Sequence, residues 1–200
     1  MDEAIESALH SITTKIDVLR ALRENIMASD DFAEALRIIV QIRGKLIISG
    51  MGKSGHIGRK ICATFQSTGQ PAAFLHPAEA AHGDMGLIGA DDCLVLLSNS
   101  GQTSELTRVA SFGLEMVEIP IIAITANRKA PLAQAADCVL TYPMTEEGDP
   151  LNLAPMASTT AQLAIGDAIA AALMTMRHFN SNDFGILHHG GYLGRKVKSA

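Results

Sequence analysis

The chain has 200 residues, 48% hydrophobic and 18% charged, a composition that suits one globular domain and excludes a disordered or collagen-like polymer. Sixteen Lys and Arg against twenty-one Asp and Glu leave a net charge of −5, and no basic run exceeds the short Arg195, Lys196 and Lys198 tail, which argues against nucleic acid as a partner. Three widely spaced cysteines, Cys62, Cys93 and Cys138, lie in apolar stretches and read as reduced core residues.

The N-terminus carries Asp2, Glu3 and Glu6 and no continuous apolar run, so it is not a signal peptide and the expected address is the cytoplasm. Ile5, Leu9, Ile12, Ile16, Leu19 and Leu22 recur at three and four, predicting a long amphipathic arm that packs on the domain or on another subunit. Phe32, Leu36 and Ile39 predict a second helix, capped by Ser29 or Asp30. After Gly44, short apolar runs at 46–49, 72–75, 93–97, 121–125 and 138–140 predict five buried strands. Between them fall helical stretches at 54–68, 77–82, 104–117 and 131–135. Strand and helix alternate, so the expected fold is α/β, a doubly wound five-stranded parallel sheet flanked by helices with an N-terminal helical arm, forming a single domain over 1–200. From 153 to 176 only Asp167 is charged, and the stretch could span a bilayer. Its bulk is Ala, Ser and Thr, and a central Asp costs about 2.5 to 3.5 kcal/mol on insertion, so it reads as a buried core helix rather than a membrane span.

In open α/β sheets ligands bind beyond the carboxyl ends of the strands, which makes the strand-to-helix loops the candidate sites. SGMGKSGH, residues 49–56, satisfies GxGxxG through Gly50, Gly52 and Gly55, but the second strand ends in Leu75 and His76 where a dinucleotide site needs an acid. A Walker A loop would need Gly at position 47, which is Ile47. What remains is a glycine turn and helix N-terminus suited to an oxyanion, with Lys53 as its ammonium group. SNSGQTSE, residues 98–105, offers four hydroxyls, Ser98, Ser100, Thr103 and Ser104, around Gly101, more than a helix cap requires and well matched to a phosphate monoester. HPAEAAHGD, residues 76–84, holds His76, Glu79, His82 and Asp84, with a histidine spacing that matches no standard zinc site. TEEGDPLNLAP, residues 145–155, contains Glu146, Glu147 and Asp149, which composition alone would leave facing solvent. LHHGGYLGRK, residues 187–196, places His188 and His189 before a glycine pair.

Taken in order, GMGKSGHIGRK, STGQP, HPAEAAHGD, SNSGQTSE, LAPMASTT and HHGGYLGRK resemble the sugar isomerase (SIS) domain of arabinose-5-phosphate isomerases, from about residue 40 to the C-terminus. The resemblance implies interconversion of D-ribulose 5-phosphate and D-arabinose 5-phosphate on the way to 3-deoxy-D-manno-octulosonate (Kdo) for lipopolysaccharide or capsule. It also implies a small sugar phosphate as the partner, no organic cofactor, and a homotetramer. Carried over, the catalytic set is Lys53, Glu105, Glu147 and His188; the substrate-binding set is Ser54, His82, Ser98, Ser100 and Thr103; and His76 is a contact for an inhibitory divalent ion.

Moving a proton between C1 and C2 through a cis-enediol needs a base near neutral pKa and groups that stabilise the enediolate. In that scheme His188 carries the proton with Glu105 as the competing candidate, Lys53 stabilises the enediolate, and His82 and Glu147 open the ring or orient hydroxyls. Three departures stand out. Family members continue into paired cystathionine-β-synthase-type regulatory modules whereas this chain stops at Ala200, which implies a short form or a fragment; His189 replaces a usual Pro; and Asp149 and Asn152 stand where small or apolar residues are common. The last two bear on substrate preference more than on reaction type. The alternatives are an isomerase of another phosphosugar, such as a hexulose 6-phosphate or sedoheptulose 7-phosphate, and a non-catalytic sugar phosphate sensor. A dinucleotide-dependent dehydrogenase is disfavoured by the missing acid.

Overall fold

The computed structural model describes residues 1–144 and 146–189. Its elements, in order, are α1 (Asp2–Ala28), α2 (Asp31–Gln41), β1 (Leu46–Gly50), α3 (Gly52–Ser67), β2 (Ala72–Leu75), α4 (Pro77–Ala80), β3 (Cys93–Leu97), α5 (Ser104–Phe112), β4 (Ile121–Thr125), α6 (Pro131–Gln134), β5 (Cys138–Thr141), α7 (Ala157–Met176) and α8 (Ser181–Leu187). The five strands form one parallel sheet in the order β2-β1-β3-β4-β5. Each predicted strand is present, two of them one residue longer than the apolar run.

Every residue of β1, β3 and β4 is buried, as a parallel sheet covered on both faces demands. Alternation along the strands divides the core in two. Leu46, Ile48, Val95, Leu97, Ile122 and Ile124 pack with Val18 and Leu22 of α1, Ile39 of α2, Phe65 of α3 and Ile165 of α7. Ile47, Leu94, Leu96, Ile121 and Ala123 face Ala80 of α4, Leu106 and Val109 of α5 and Leu132 of α6. Each fully buried Leu or Ile contributes about 1.5 to 3 kcal/mol. The chain steps outward from β1 to β2 under α3, then returns past β1 to β3, so the winding reverses between β1 and β3. At the amino edge of these two strands Asp92 accepts hydrogen bonds from the backbone N–H groups of Lys45 and Gly89 and pairs with the Lys45 ammonium, each at 2.8 Å. Burial alone would raise the Asp92 pKa, but these donors hold it below the usual carboxylate range.

Two expectations change in detail. The predicted helix 104–117 ends at Phe112 and continues as a π turn, Gly113–Val117, closed by Glu118 at φ 58°. Of the apolar stripe of α1, Leu22 is buried, beside Thr14 and Val18, while Ile5, Leu9, Ile12, Ile16 and Leu19 remain 36% to 58% exposed on the domain. α2 starts after Asp30, with Ser29 Oγ accepting the Asp31 N–H at 3.1 Å. α7 is long and apolar enough to cross a membrane by length and composition, yet it lays Ala161, Ile165, Ile169 and Leu173 into the core. All three cysteines are free and buried. Burial pushes the Cys93 thiol up to about 12, so it stays neutral and inert.

Candidate active site

The reversal of winding between β1 and β3 opens a crevice at their carboxyl ends, flanked by the loops that lead into α3 and α5. In the first, the turn is tight enough that a Cβ on Gly55 would sit 2.5 Å from the Gly50 carbonyl oxygen, so the backbone itself closes on the loop. α3 follows Met51 with no side-chain cap and no acid in its first turn. Its leading N–H groups and positive dipole end are therefore left for an external anion. Lys53 is exposed and Ser54 half-buried in that same turn.

The second loop is braced from within. Ser98 is buried, its Oγ lying 2.9 Å from Thr103 Oγ1 and accepting the Gly101 N–H at 3.1 Å. Ser100 is exposed, and its Oγ accepts the Gln102 N–H at 3.2 Å. Gly101 has φ 67°, and a Cβ there would lie 2.5 Å from that of Ala130. Of the four hydroxyls that the sequence offers to a phosphate, Ser98 thus holds the loop's shape, while Ser100 and Thr103 lie nearer its open side. Glu105 sits in the first turn of α5 with Ser104 Oγ donating to it at 3.0 Å. The hydrogen bond from its own backbone N–H, followed by that from Ser104, holds its carboxyl below the usual range, so it is a carboxylate at neutral pH.

His76 ends the loop after β2 as the N-cap residue of α4, with Nδ1 buried and unpartnered. His82 is exposed in the following turn. Among the described residues no group of three or more His, Cys, Asp or Glu side chains converges to hold a metal ion.

The acidic loop differs most from its composition. Glu147 is only 8% exposed, and its Oε2 accepts the backbone N–H groups of Met156 and Ser158 at 2.8 and 2.9 Å. A carboxylate at the start of α7 satisfies orphan amides and opposes the helix dipole, which is why this acid is drawn inward. Asn152, at φ 52°, accepts the Glu147 N–H at 2.7 Å, and Asp149 accepts those of Leu151, Leu153 and Ala154. Asp149 and Asn152 therefore shape the loop that carries Glu147. Glu146 meets α1, 3.3 Å from Thr14 Oγ1 and 3.6 Å from His10 Nε2.

His188 is set apart from this group. α7 starts near Glu147 at the carboxyl edge and, at about 1.5 Å per residue, runs the depth of the domain. Just beyond its end, Arg177 binds Gln70 at 2.6 Å and Phe179 covers Gly69, both on the approach to β2 at the amino edge. α8 follows from there with no buried residue, and His188 stacks on Phe184 at 3.8 Å with Nδ1 2.9 Å from the Phe184 carbonyl oxygen. Lys53, Ser54, His76, Ser98, Ser100, Thr103, Glu105 and Glu147 thus belong to loops or first helical turns at one edge, with His82 in the turn after α4, and His188 to the end of an outlying helix rooted at the other. From Gly190 on, the HHGGYLGRK motif and the basic tail lie outside the described residues, as does Thr145.

Sequence reasoning passed over three residues that organise this edge. Tyr142 donates to Asn99 Oδ1 at 3.1 Å and accepts from Gln162 Nε2 at 3.0 Å. Asn99 was visible as the second residue of SNSG, but nothing in spacing pairs it with a tyrosine forty-three positions on.

Residues 38–172 match the SIS domain family. Arabinose 5-phosphate isomerase KdsD of Pseudomonas aeruginosa is 45% identical over 193 residues, 96% of this chain and 58% of that protein. The enzyme of the same name from Francisella tularensis is 44% identical over 200 residues, 98% of this chain and 60% of its own length. The chain spans somewhat more than half the length of these curated relatives. Among solved structures, an Escherichia coli CFT073 protein in complex with arabinose 5-phosphate superposes with a TM-score of 0.84 at 36% identity, covering 94% of this chain and 98% of that one. Winding, loop chemistry and sequence agree, and the chain belongs to the SIS domain family.

Proposed function

We propose that this chain is an aldose-ketose isomerase interconverting D-arabinose 5-phosphate and D-ribulose 5-phosphate, a cytoplasmic step that supplies Kdo synthesis for lipopolysaccharide or capsule. The observation that carries this reading is the pair of loops at the β1/β3 crevice, one with an uncapped helix end and Lys53, the other with braced hydroxyls and ionised Glu105. The arabinose 5-phosphate held by the E. coli CFT073 protein and the name of the curated relatives support the substrate.

Ser54, Ser100, Thr103 and the loop amides hold the phosphate, with Ser98 fixing the second loop. His82 and Glu147 orient the sugar hydroxyls and assist ring opening; Glu147 offers Oε1, which takes no part in capping α7. A base removes the C2 proton of the open-chain aldose while the C1 carbonyl oxygen gains a proton, giving the cis-enediol. Return of the proton to C1 and loss of the O2 proton give the ketose. Lys53 stabilises the enediolate charge. A depressed carboxyl pKa makes Glu105 a weak base at neutral pH, and a histidine is better matched, which favours His188 as the proton carrier. Its position on α8 favours delivery into the crevice of a neighbouring copy. The exposed α1 stripe, spaced four-three-four-three, is the seam two helices use to pair, and supports assembly as a homotetramer. His76 is retained as the contact for an inhibitory divalent ion.

The test is turnover of D-arabinose 5-phosphate in chelator-treated buffer against a panel of other aldose phosphates. Formation of ribulose 5-phosphate from arabinose 5-phosphate alone is the expected result. Turnover of another sugar only would reassign the substrate, and binding without turnover would make the protein a sensor.

A further inference from the structure

A buried tyrosine hydroxyl is unnecessary for packing, because phenylalanine fills nearly the same volume without a polar group to satisfy. Tyr142 is 1% exposed, and its hydroxyl is nonetheless bound on two sides, by Gln162 Nε2 of α7 and by Asn99 Oδ1 of the SNSG loop. Asn99 is also clamped through its main chain, its carbonyl oxygen accepting from the Ala126 N–H and from Thr125 Oγ1, each at 3.1 Å. Its neighbours are Ser98, which braces the loop, and exposed Ser100. Four residues before Gln162 on the same helix, the Ser158 N–H binds Glu147. Gln162 and Ser158 are both buried, so this part of α7 is held in a single position.

We infer that Tyr142 is a positioning residue: through Asn99 it fixes the SNSG loop in its anion-receiving shape, and through Gln162 it ties that loop to the helix end that holds Glu147. This rests on reading the β3–α5 loop as a phosphate site. Burial pushes the Tyr142 hydroxyl well above its ordinary range, so it remains a proton donor to Asn99 at every working pH. Without that donor, Asn99 keeps its backbone anchors while its side chain loses the bond that sets its rotamer. The flanking amides and the Ser100 hydroxyl then pay an ordering cost when an anion binds.

The experiment is calorimetric binding of inorganic phosphate and of D-arabinose 5-phosphate to the whole chain, the Tyr142→Phe variant, the Asn99→Ala variant and the double variant, alongside melting curves and turnover. Each single variant is expected to weaken both ligands about tenfold, equal to about 1.4 kcal/mol. KM should rise in proportion while kcat changes less than about threefold, and the double variant should be no worse than either single one, because both break the same bond. A lower melting temperature with unchanged affinity for both ligands would make Tyr142 merely structural and overturn the inference, as would fully additive losses in the double variant. If Tyr142→Phe does not fold, Asn99→Ala, at a half-buried loop position, carries the same test. Failure of the wild-type chain to bind either ligand would instead overturn the phosphate-site reading on which the inference stands. Because binding is the readout, the result does not depend on whether the bound sugar is turned over.

Discussion

The two loops that meet at the β1/β3 crevice are built by different means. The loop into α3 supplies charge: its helix has no acid in the first turn, no side-chain cap, and an exposed ammonium at Lys53. The loop into α5 supplies shape, since Ser98, Gly101 and Thr103 hydrogen-bond to one another and Asn99 is fixed from three sides. Its helix already carries a carboxylate at its first turn, Glu105, which meets the dipole from within the chain. One loop therefore leaves a positive end open, and the other places a negative group beside a rigid cradle. The proposed isomerisation would use both, one to hold and stabilise anionic oxygen and one to keep the sugar at a fixed distance from the groups that move protons.

Substitutions in the two loops should separate stability from activity, and the largest effect falls on the rigid one. Gly101→Ala forces a non-glycine residue to φ 67° with its Cβ against Ala130, at a cost of about 2 to 5 kcal/mol in denaturant unfolding. A variant as stable as wild type would show that the second loop is not built on close approach. Lys53→Ala, in the charged loop, should leave the unfolding midpoint within error yet lower turnover by at least about a hundredfold, and His188→Ala should behave alike. Wild-type turnover in either would remove that residue from the mechanism. Ser98→Ala leaves the Gly101 N–H without its acceptor in a buried loop and should cost about 1 to 3 kcal/mol of stability along with phosphate affinity. Loss of affinity with no loss of stability would move Ser98 from brace to direct contact. The smallest effect is electrostatic. The folded pKa of Glu105 lies below its unfolded value of about 4.3, so its stabilisation is present above that value and fades as pH falls through the folded pKa. Wild type and Glu105→Gln should accordingly differ slightly in melting temperature at pH 7 and converge near pH 2. A gap that persists in acid would assign the difference to packing.

Much of the fold was legible because its signals are local. Five apolar runs separated by helical stretches are read along the chain, and parallel crossovers leave few ways to arrange them. The glycine turn with Lys53 and the hydroxyl-rich SNSGQTSE loop were legible for the same reason, each being a short segment whose chemistry needs no partner. The acidic loop was not. Glu146, Glu147 and Asp149 have the composition of a solvated charge run, and Glu147 turns inward only because the first amides of α7 arrive beside it. The α1 stripe was legible as an apolar face but not in what it meets: within the domain Leu22 is buried beside Thr14 and Val18, and the stripe from Ile5 to Leu19 stays exposed.

The sequence by itself determined the class of fold and the residue types offered at the carboxyl edge of the sheet, since hydrophobic period and turn composition act over a few residues. The tertiary structure alone decided which hydroxyl braces and which faces outward, that Tyr142, held by Gln162, reaches Asn99, and that His188 stands at the end of a helix rooted at the far edge. The last two rest on contacts between distant segments, Asn99 with Tyr142 forty-three positions on and Gln70 with Arg177 one hundred and seven on, and such contacts are set by how helices pack across the sheet, a property no local window of the chain contains.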